Sequence, residues 1–266
     1  MTSGGYYYII FIYQSEGFFK MIEINKQDFA SKLTKVFKEN GLSSMLSIER
    51  MESFYRLTER MLTENEKYNL TAITDIDKII LNHYADCVSL SAKLKKGASV
   101  IDVGCGAGFP SLPLAIVRPD LKILAVDSTA KRVNYVEETA RMLGLDNLST
   151  AVMRAEDGGK SPEYREKFDY ATARAVAEMR VLSELTLPFV KVGGQFVAMK
   201  GKNAEFELSA AKKAIATLGG RNTVCENITL KGNGETLTHP FIIIDKKEKT
   251  PATYPRVFAQ ISKKPL

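Results

Sequence analysis

The stretch SVIDVGCGAGFPSLPLAI, residues 99–116, decides how this chain is read. Apolar residues around one acid run into three glycines at alternate positions, and an apolar helix-like run follows. A glycine loop between a strand and a helix lets the backbone approach a ligand closely and aims helix N-terminal amides at it. The spacing narrows the ligand. Asp102, Gly104, Gly106 and Gly108 form D-x-G-x-G-x-G, not the G-x-G-x-x-G of nicotinamide dinucleotide sites. Phe109-Pro110 takes the place of the third dinucleotide glycine. Proline is tolerated in a first helical turn, but a phenylalanine there crowds a pyrophosphate.

Outward from this loop, strands and helices alternate. KILAVD (122–127) reads as the second strand and ends on Asp127, nineteen residues beyond Gly108, where an acid accepts hydrogen bonds from ribose hydroxyls. LSTAVM (148–153) reads as the third, and MRAED at its end is where a backbone amide and a carboxylate can grip an adenine. Loop, ribose acid and adenine loop in this order are those of an S-adenosylmethionine fold. The bland alternative, an α/β domain whose glycine turn holds nothing, needs all three features to coincide by chance.

FDYATAR and GGQFVAMK read as two more strands, separated by a helix over about 179–190. A helix at about 204–218 follows, then two longer strand-like runs, RNTVCENITL and THPFIIIDKK, around KGNGE. The expectation is a parallel sheet with helices on both faces, closed by an antiparallel hairpin at one edge. Before residue 97 the pattern is helical. FASKLTKVFKENG ends on a C′ glycine, Gly41. Ser47 is placed to cap a second helix with Ile48, Met51, Phe54, Leu57 and Met61 on one stripe. A third helix is expected from Asp75 to Leu94. Residues 1–20 form an N-terminal extension with no expected part in the chemistry. Their apolar run is far too short to cross a bilayer, and a fresh protein-like start opens at Met21. The division is therefore 1–20, a helical subdomain at 21–96, and a cofactor domain with a basic tail at 97–266.

Composition sets limits. With 45% apolar and 26% charged residues the chain is an ordinary globular protein, and its +6 net charge mildly favours a polyanionic partner. Three scattered cysteines without a CxxC, and only two histidines, exclude zinc ribbons, thioredoxin-like chemistry and a His-rich metal site; no metal is expected. Free cysteines fit a reducing cytoplasm.

KYNLTAITD (67–75), the glycine loop, VDSTAKRVNYVE, RAED, FDYATARAVAEM, AMKGKN and the closing YPR…KKPL together give a wider likeness. From Met21 onward the chain resembles the bacterial small-subunit rRNA guanine-N7 methyltransferases (RsmG, formerly glucose-inhibited division protein B). The glycine loop is generic to methyltransferases, whereas YNLTAI, TARAVA and the YPR tail are much more specific. The resemblance implies a class I methyltransferase sheet of seven strands, the last antiparallel, preceded by helices. It implies transfer of a methyl group from S-adenosylmethionine to N7 of a guanine in 16S rRNA of the small ribosomal subunit, by a cytoplasmic monomer with no membrane partner. Carried over by position, Gly104, Gly106 and Phe109 line the methionine and ribose of the cofactor. Asp127 and Ser128 hold the ribose, Ala155 and Glu156 the adenine, and Arg174 falls between cofactor and target base as the catalytic candidate. One departure stands out: after Tyr-Pro-Arg the tail VFAQISKKPL lacks the family's Lys-Pro-Gly-Thr-Pro or Lys-Ala-Gly-Thr-Pro.

The chemistry agrees with what the chain lacks. Guanine N7 is an unprotonated acceptor on the Hoogsteen edge, so no general base is required. Cytosine C5 methylation uses a nucleophilic cysteine, typically after proline, and no proline precedes any of the three here. Exocyclic amines are usually served by a D/N-P-P-Y/F loop, which is missing. Arg174 then positions base or phosphate, with a salt bridge inside the domain as the even alternative. RNA contacts are expected from Asn69, Thr71, His83, Lys200, Arg256, Lys263 and Lys264. For Asn69 and Thr71 a turn or helix cap is at least as good a reading, and for His83 a packed helix histidine is better. Three alternatives stay open: a class I methyltransferase acting on another RNA site, a non-catalytic cofactor- or ribosome-binding protein, and an oxidoreductase, the last disfavoured by Phe109.

Overall fold

The computed structural model describes residues 7–13 and 19–266. Residues 1–6 and 14–18 of the expected extension lie outside the described residues. The chain opens with an antiparallel pair, β1 (Tyr7–Tyr13) and β2 (Phe19–Asn25), so a strand crosses the expected boundary at residue 20. Asn25 then caps the helix Lys26–Glu39 by accepting from the Asp28 N–H at 2.9 Å. Ser47 caps the helix Ile48–Tyr68 through the Arg50 N–H at 3.3 Å. Of the expected stripe on this helix, Phe54, Leu57 and Met61 are fully buried, whereas Ile48 in the first turn is 79% exposed. The stripe points inward only once the helix has reached the core.

The third helical run, 76–93, lies where it is expected and is capped by Asp75, but it is not one regular α-helix. Its middle turn, Ile80–Ala85, is a π-helix, a widened turn of the kind that recurs at functional sites. That turn carries His83, and Asp86 follows it directly.

Each run expected as a strand after residue 98 becomes one. β3 (Ser99–Val103), β4 (Lys122–Asp127), β5 (Leu148–Val152), β6 (Phe168–Arg174) and β7 (Val190–Met199) run parallel. The hairpin β8 (Gly220–Gly232) and β9 (Glu235–Lys246) adds β9 antiparallel to both β7 and β8. The order is β5-β4-β3-β6-β7-β9-β8, seven strands with the last in sequence reversed. The helix expected over 179–190 stops at Thr186, because Pro188 supplies no amide to continue it, and β7 starts three residues earlier than expected.

Two cores cover the faces. The N-terminal helices share one core with the helices Ser111–Val117 and Ala130–Leu143, from Phe29 through Tyr84 to Phe241. On the other face, the helices Met179–Thr186 and Ala204–Thr217 pack around Phe189 and Phe196. The tail returns to that side: the short helix Phe258–Lys263 sets its buried Ile261 against Val181 and Leu185. Among the described residues, no helix is long and apolar enough to cross a membrane.

Candidate functional site

The chain leaves β3 toward β4 on one side and later enters β6 on the other. A crevice forms at the carboxyl ends of strands where connections diverge in this way. Here it is a cleft of about 330 Å³, walled by the ends of β3 and β4 and by the loops after β5 and β6. The loop after β3 is tied to β4, since the Gly104 and Cys105 amides both donate to the Val126 carbonyl, at 2.8 and 2.9 Å. Gly104 has φ +75°, and a Cβ there would lie 2.8 Å from Val176 Cγ2, so bare backbone borders the cleft at this point.

Asp127, 6% exposed at the tip of β4, lines the cleft. Its Oδ1 accepts from the Thr129 N–H at 2.8 Å and its Oδ2 from the Gly106 N–H at 3.2 Å, with the Arg132 guanidinium 3.6 Å away. Each carboxylate oxygen keeps a second lone pair, so a held carboxylate still offers acceptors to a pair of vicinal hydroxyls. Ser128 lines the cleft beside it, and Ala155 and Glu156 stand on the wall after β5. Glu156 is 8% exposed with Arg154 3.6 Å from it. Met153, Val176, Leu185 and Phe258 supply apolar wall. Acids for hydroxyls, an apolar slot for a flat ring and a bare glycine edge fit the adenosyl part of S-adenosylmethionine.

Gly106 serves from behind: its amide holds Asp127, and it is not part of the cleft wall. Phe109 also stands elsewhere. It is 4% exposed and stacks on His83, with ring centroids 4.6 Å apart and planes at 20°. The Arg174 guanidinium stands 5.2 Å from the ring centre and the Tyr84 ring centroid 6.3 Å away. A large apolar ring after the glycine loop is drawn into the core against the N-terminal helices.

A second cleft, of about 270 Å³, shares Ala175 with the first. Ala175 has φ +56°, a left-handed conformation that costs a side-chain-bearing residue about 1 kcal/mol. Arg174, Lys200, Asp86 and His239 line this cleft. Arg174 donates to the Asn82 carbonyl at 3.1 Å and to Asp86 Oδ2 at 3.3 Å, and meets His83 Nδ1 at 3.1 Å. A guanidinium has no acceptor, so Nδ1 accepts and the proton of His83 sits on Nε2, which donates to Thr71 Oγ1 at 3.0 Å. Burial first, and the Arg174 charge second, push the His83 pKa down to about 3. His83 is therefore a neutral link between the loop after the second helix, the third helical run and β6. Thr71 in turn accepts from the Ile73 N–H, and Asn69 closes the second helix in a left-handed conformation, φ 47°.

Lys200 Nζ donates to the Ala177 carbonyl and pairs with Glu207 Oε2, both at 2.7 Å. Arg256 is spent internally on Glu184, which is fully buried: its backbone N–H, Nε and an Nη reach the two carboxylate oxygens at 2.7–2.9 Å. Lys263 and Lys264 are exposed. The structure thus brings Gly104, Asp127, Ser128, Ala155 and Glu156 to the first cleft, Arg174 and Lys200 to the second, and joins Thr71 and His83 to Arg174. Sequence reasoning missed Asp86, which lies three residues from His83 on the same helical run, and His239. It also missed Phe258, whose place depends on how the tail docks and which no local pattern marks.

Fold and cleft together define a class I S-adenosylmethionine-dependent methyltransferase. A model of the family described as rRNA small subunit methyltransferase G matches residues 48–234, and the chain belongs to that family. Among curated relatives, the Ribosomal RNA small subunit methyltransferase G of Clostridium perfringens (strain 13) is 44% identical over 220 residues, covering 82% of this chain and 91% of that one. The protein of the same name from Leuconostoc mesenteroides is 47% identical over 225 residues, covering 83% and 93%. That of Lactobacillus delbrueckii (strain ATCC 11842) is 44% identical over 248 residues, covering 91% and 100%. The protein is an enzyme, and its methyl donor is S-adenosylmethionine.

Proposed function

We propose that this enzyme methylates N7 of a guanine in 16S rRNA of the small ribosomal subunit, acting in the cytoplasm as a monomer. The observation that carries the choice of atom is the second cleft, which is lined by no cysteine and whose one imidazole, His239, faces the Asp86 carboxylate at 2.5 Å, so that neither a thiolate nor an imidazole clear of a carboxylate is offered. Both ring nitrogens of His83 are engaged and the ring is neutral. Cys87 and Cys105 are buried, and burial pushes both thiols far up, so neither is a nucleophile at neutral pH. Guanine N7 needs neither, since its lone pair is free without deprotonation. When bound, S-adenosylmethionine supplies an electrophilic methyl group. The chain's part is orientation: Asp127, Ser128 and Glu156 fix one partner in the first cleft, and the walls of the second fix the base, so that the gain comes from alignment. Arg174, with three of its five N–H groups held by Asn82, Asp86 and His83, shapes the junction between the clefts.

The test is methyl transfer from labelled S-adenosylmethionine to small subunits from a strain lacking this protein. Borohydride reduction and aniline cleavage then map 7-methylguanine. One cleavage site in 16S rRNA is expected. Incorporation without aniline-sensitive cleavage keeps the methyltransferase and removes N7.

A further inference from the structure

The wall of the second cleft carries an acid with a spare oxygen. Asp86 is 5% exposed, and its Oδ2 is held by Arg174 at 3.3 Å while its Oδ1 accepts no hydrogen bond. His239 Nε2, on β9, lies 2.5 Å from Oδ1 but out of line with it, and it too is without a hydrogen-bond partner. Buried polar atoms in folded proteins are nearly always paired. The two cations of the cleft have their partners: Arg174 in the π turn and Asp86, Lys200 in Ala177 and Glu207. Both keep further N–H groups, but the buried oxygen of the cleft left without a donor is Asp86 Oδ1, and it calls for a ligand edge made of donors.

We propose that Asp86 reads the target base as guanine, its carboxylate accepting from N1–H and N2–H once the His239 ring turns off Oδ1. This rests on the guanine reading above and deepens it. The Hoogsteen edge of guanine presents only acceptors, N7 and O6, so a carboxylate is repelled there and is accepted only at the Watson–Crick edge. There, guanine sets two donors side by side, matching the two oxygens of one carboxylate. Adenine and cytosine place a ring acceptor next to their amine, and uracil flanks its one N–H with carbonyls. Guanine alone among the four bases therefore satisfies both oxygens. Holding that edge leaves N7 on the far side of the purine, uncovered and unprotonated. Arg174 fixes the carboxylate through Oδ2, which gives an arginine that touches no base an effect on which base is taken.

The experiment compares small subunits whose 16S rRNA carries guanine or inosine at the mapped position. Inosine keeps N7, O6 and N1–H and lacks only the N2 amine. Wild-type enzyme is expected to favour guanine by about tenfold or more in kcat/KM, and Asp86→Asn to bring the ratio close to one while binding S-adenosylmethionine as wild type does. Asp86→Glu, which keeps the charge opposite Arg174 and shifts the carboxylate by one methylene, is expected to lower the ratio as well. It covers the case in which Asp86→Asn fails to bind the methyl donor. Equal rates of the wild-type enzyme on the two bases, or an unchanged ratio in a variant that binds the donor, overturns the proposal. Absence of 7-methylguanine from native subunits treated with wild-type enzyme overturns instead the reading it rests on, and the two failures are distinct.

Discussion

Asp127 and His83 show how differently a predicted polar residue can serve. Asp127 was legible because a strand end nineteen residues past a glycine loop has one recurrent use, and it stands in the cleft with lone pairs to spare. Asp127→Ala should weaken S-adenosylmethionine binding by about 10–100-fold in a calorimetric titration, the loss of one or two charged hydrogen bonds of about 1.5 kcal/mol each. It should also loosen the loop by freeing the Gly106 amide. His83 instead is buried as a neutral link, and Asp102, fully buried at the end of β3, has its pKa pushed up to about 6 by burial, against the pull of the Ser111 hydroxyl.

Their signs oppose. Between about pH 3 and 6.5 the unfolded state binds the His83 proton and the folded state does not, so stability falls on acidification. Between 3.8 and about 6 the folded state holds the Asp102 proton and the unfolded state has lost it, so stability rises on acidification. Over pH 4–6 the two slopes, each about 1.4 kcal/mol per pH unit, nearly cancel. Urea titrations should therefore show Asp102→Asn losing about 3 kcal/mol of stability from pH 6 to 4 relative to wild type, and His83→Gln gaining about as much. Parallel profiles in all three proteins would refute the assignment of both groups.

Among the elements, the strands and their order of appearance were the most legible part, because each is a short apolar block bounded by glycine, proline or charge. What periodicity could not show was a departure inside an element. Residues 76–93 have an ordinary helical pattern, and the π turn at Ile80–Ala85 exists alongside contacts with a strand far along the chain, Arg174 to Asn82 and His83. Phe109 was misjudged for the same reason: its place follows from the helices that cover it. The glycine loop is the element with the sharpest mutational signature. Gly104→Ala imposes a left-handed alanine, about 1–2 kcal/mol, and pushes on Val176 at the cleft wall. S-adenosylmethionine affinity is expected to drop by more than tenfold with a melting point only a few degrees lower. An affinity equal to wild type would show that the loop yields outward instead.

Across the molecule, the tail separates two roles that sequence alone had merged. Arg256, Lys263 and Lys264 were grouped as RNA contacts, yet Arg256 is bound to a carboxylate with no solvent exposure at all. Removing one partner of a buried pair leaves an uncompensated charge, so Arg256→Ala should cost on the order of 3 kcal/mol in denaturant unfolding. The double variant Lys263→Ala, Lys264→Ala should leave stability unchanged and lower the slope of log affinity for small subunits against log salt by about two. A tail whose lysines change neither slope nor affinity faces away from RNA.

The strands, the glycine loop, the acid at the end of β4 and the family were all legible in local pattern, since propensity, turn chemistry and a strand-end acid act over a few residues and leave their marks there. The pairing of Asp86 with Arg174 and His239, the sealing of Arg256 by Glu184 and the withdrawal of Phe109 into the core were settled only by the folded chain. Each joins residues 26 or more positions apart in sequence, and whether a charge is spent or free depends on burial and on partners that no local spacing encodes.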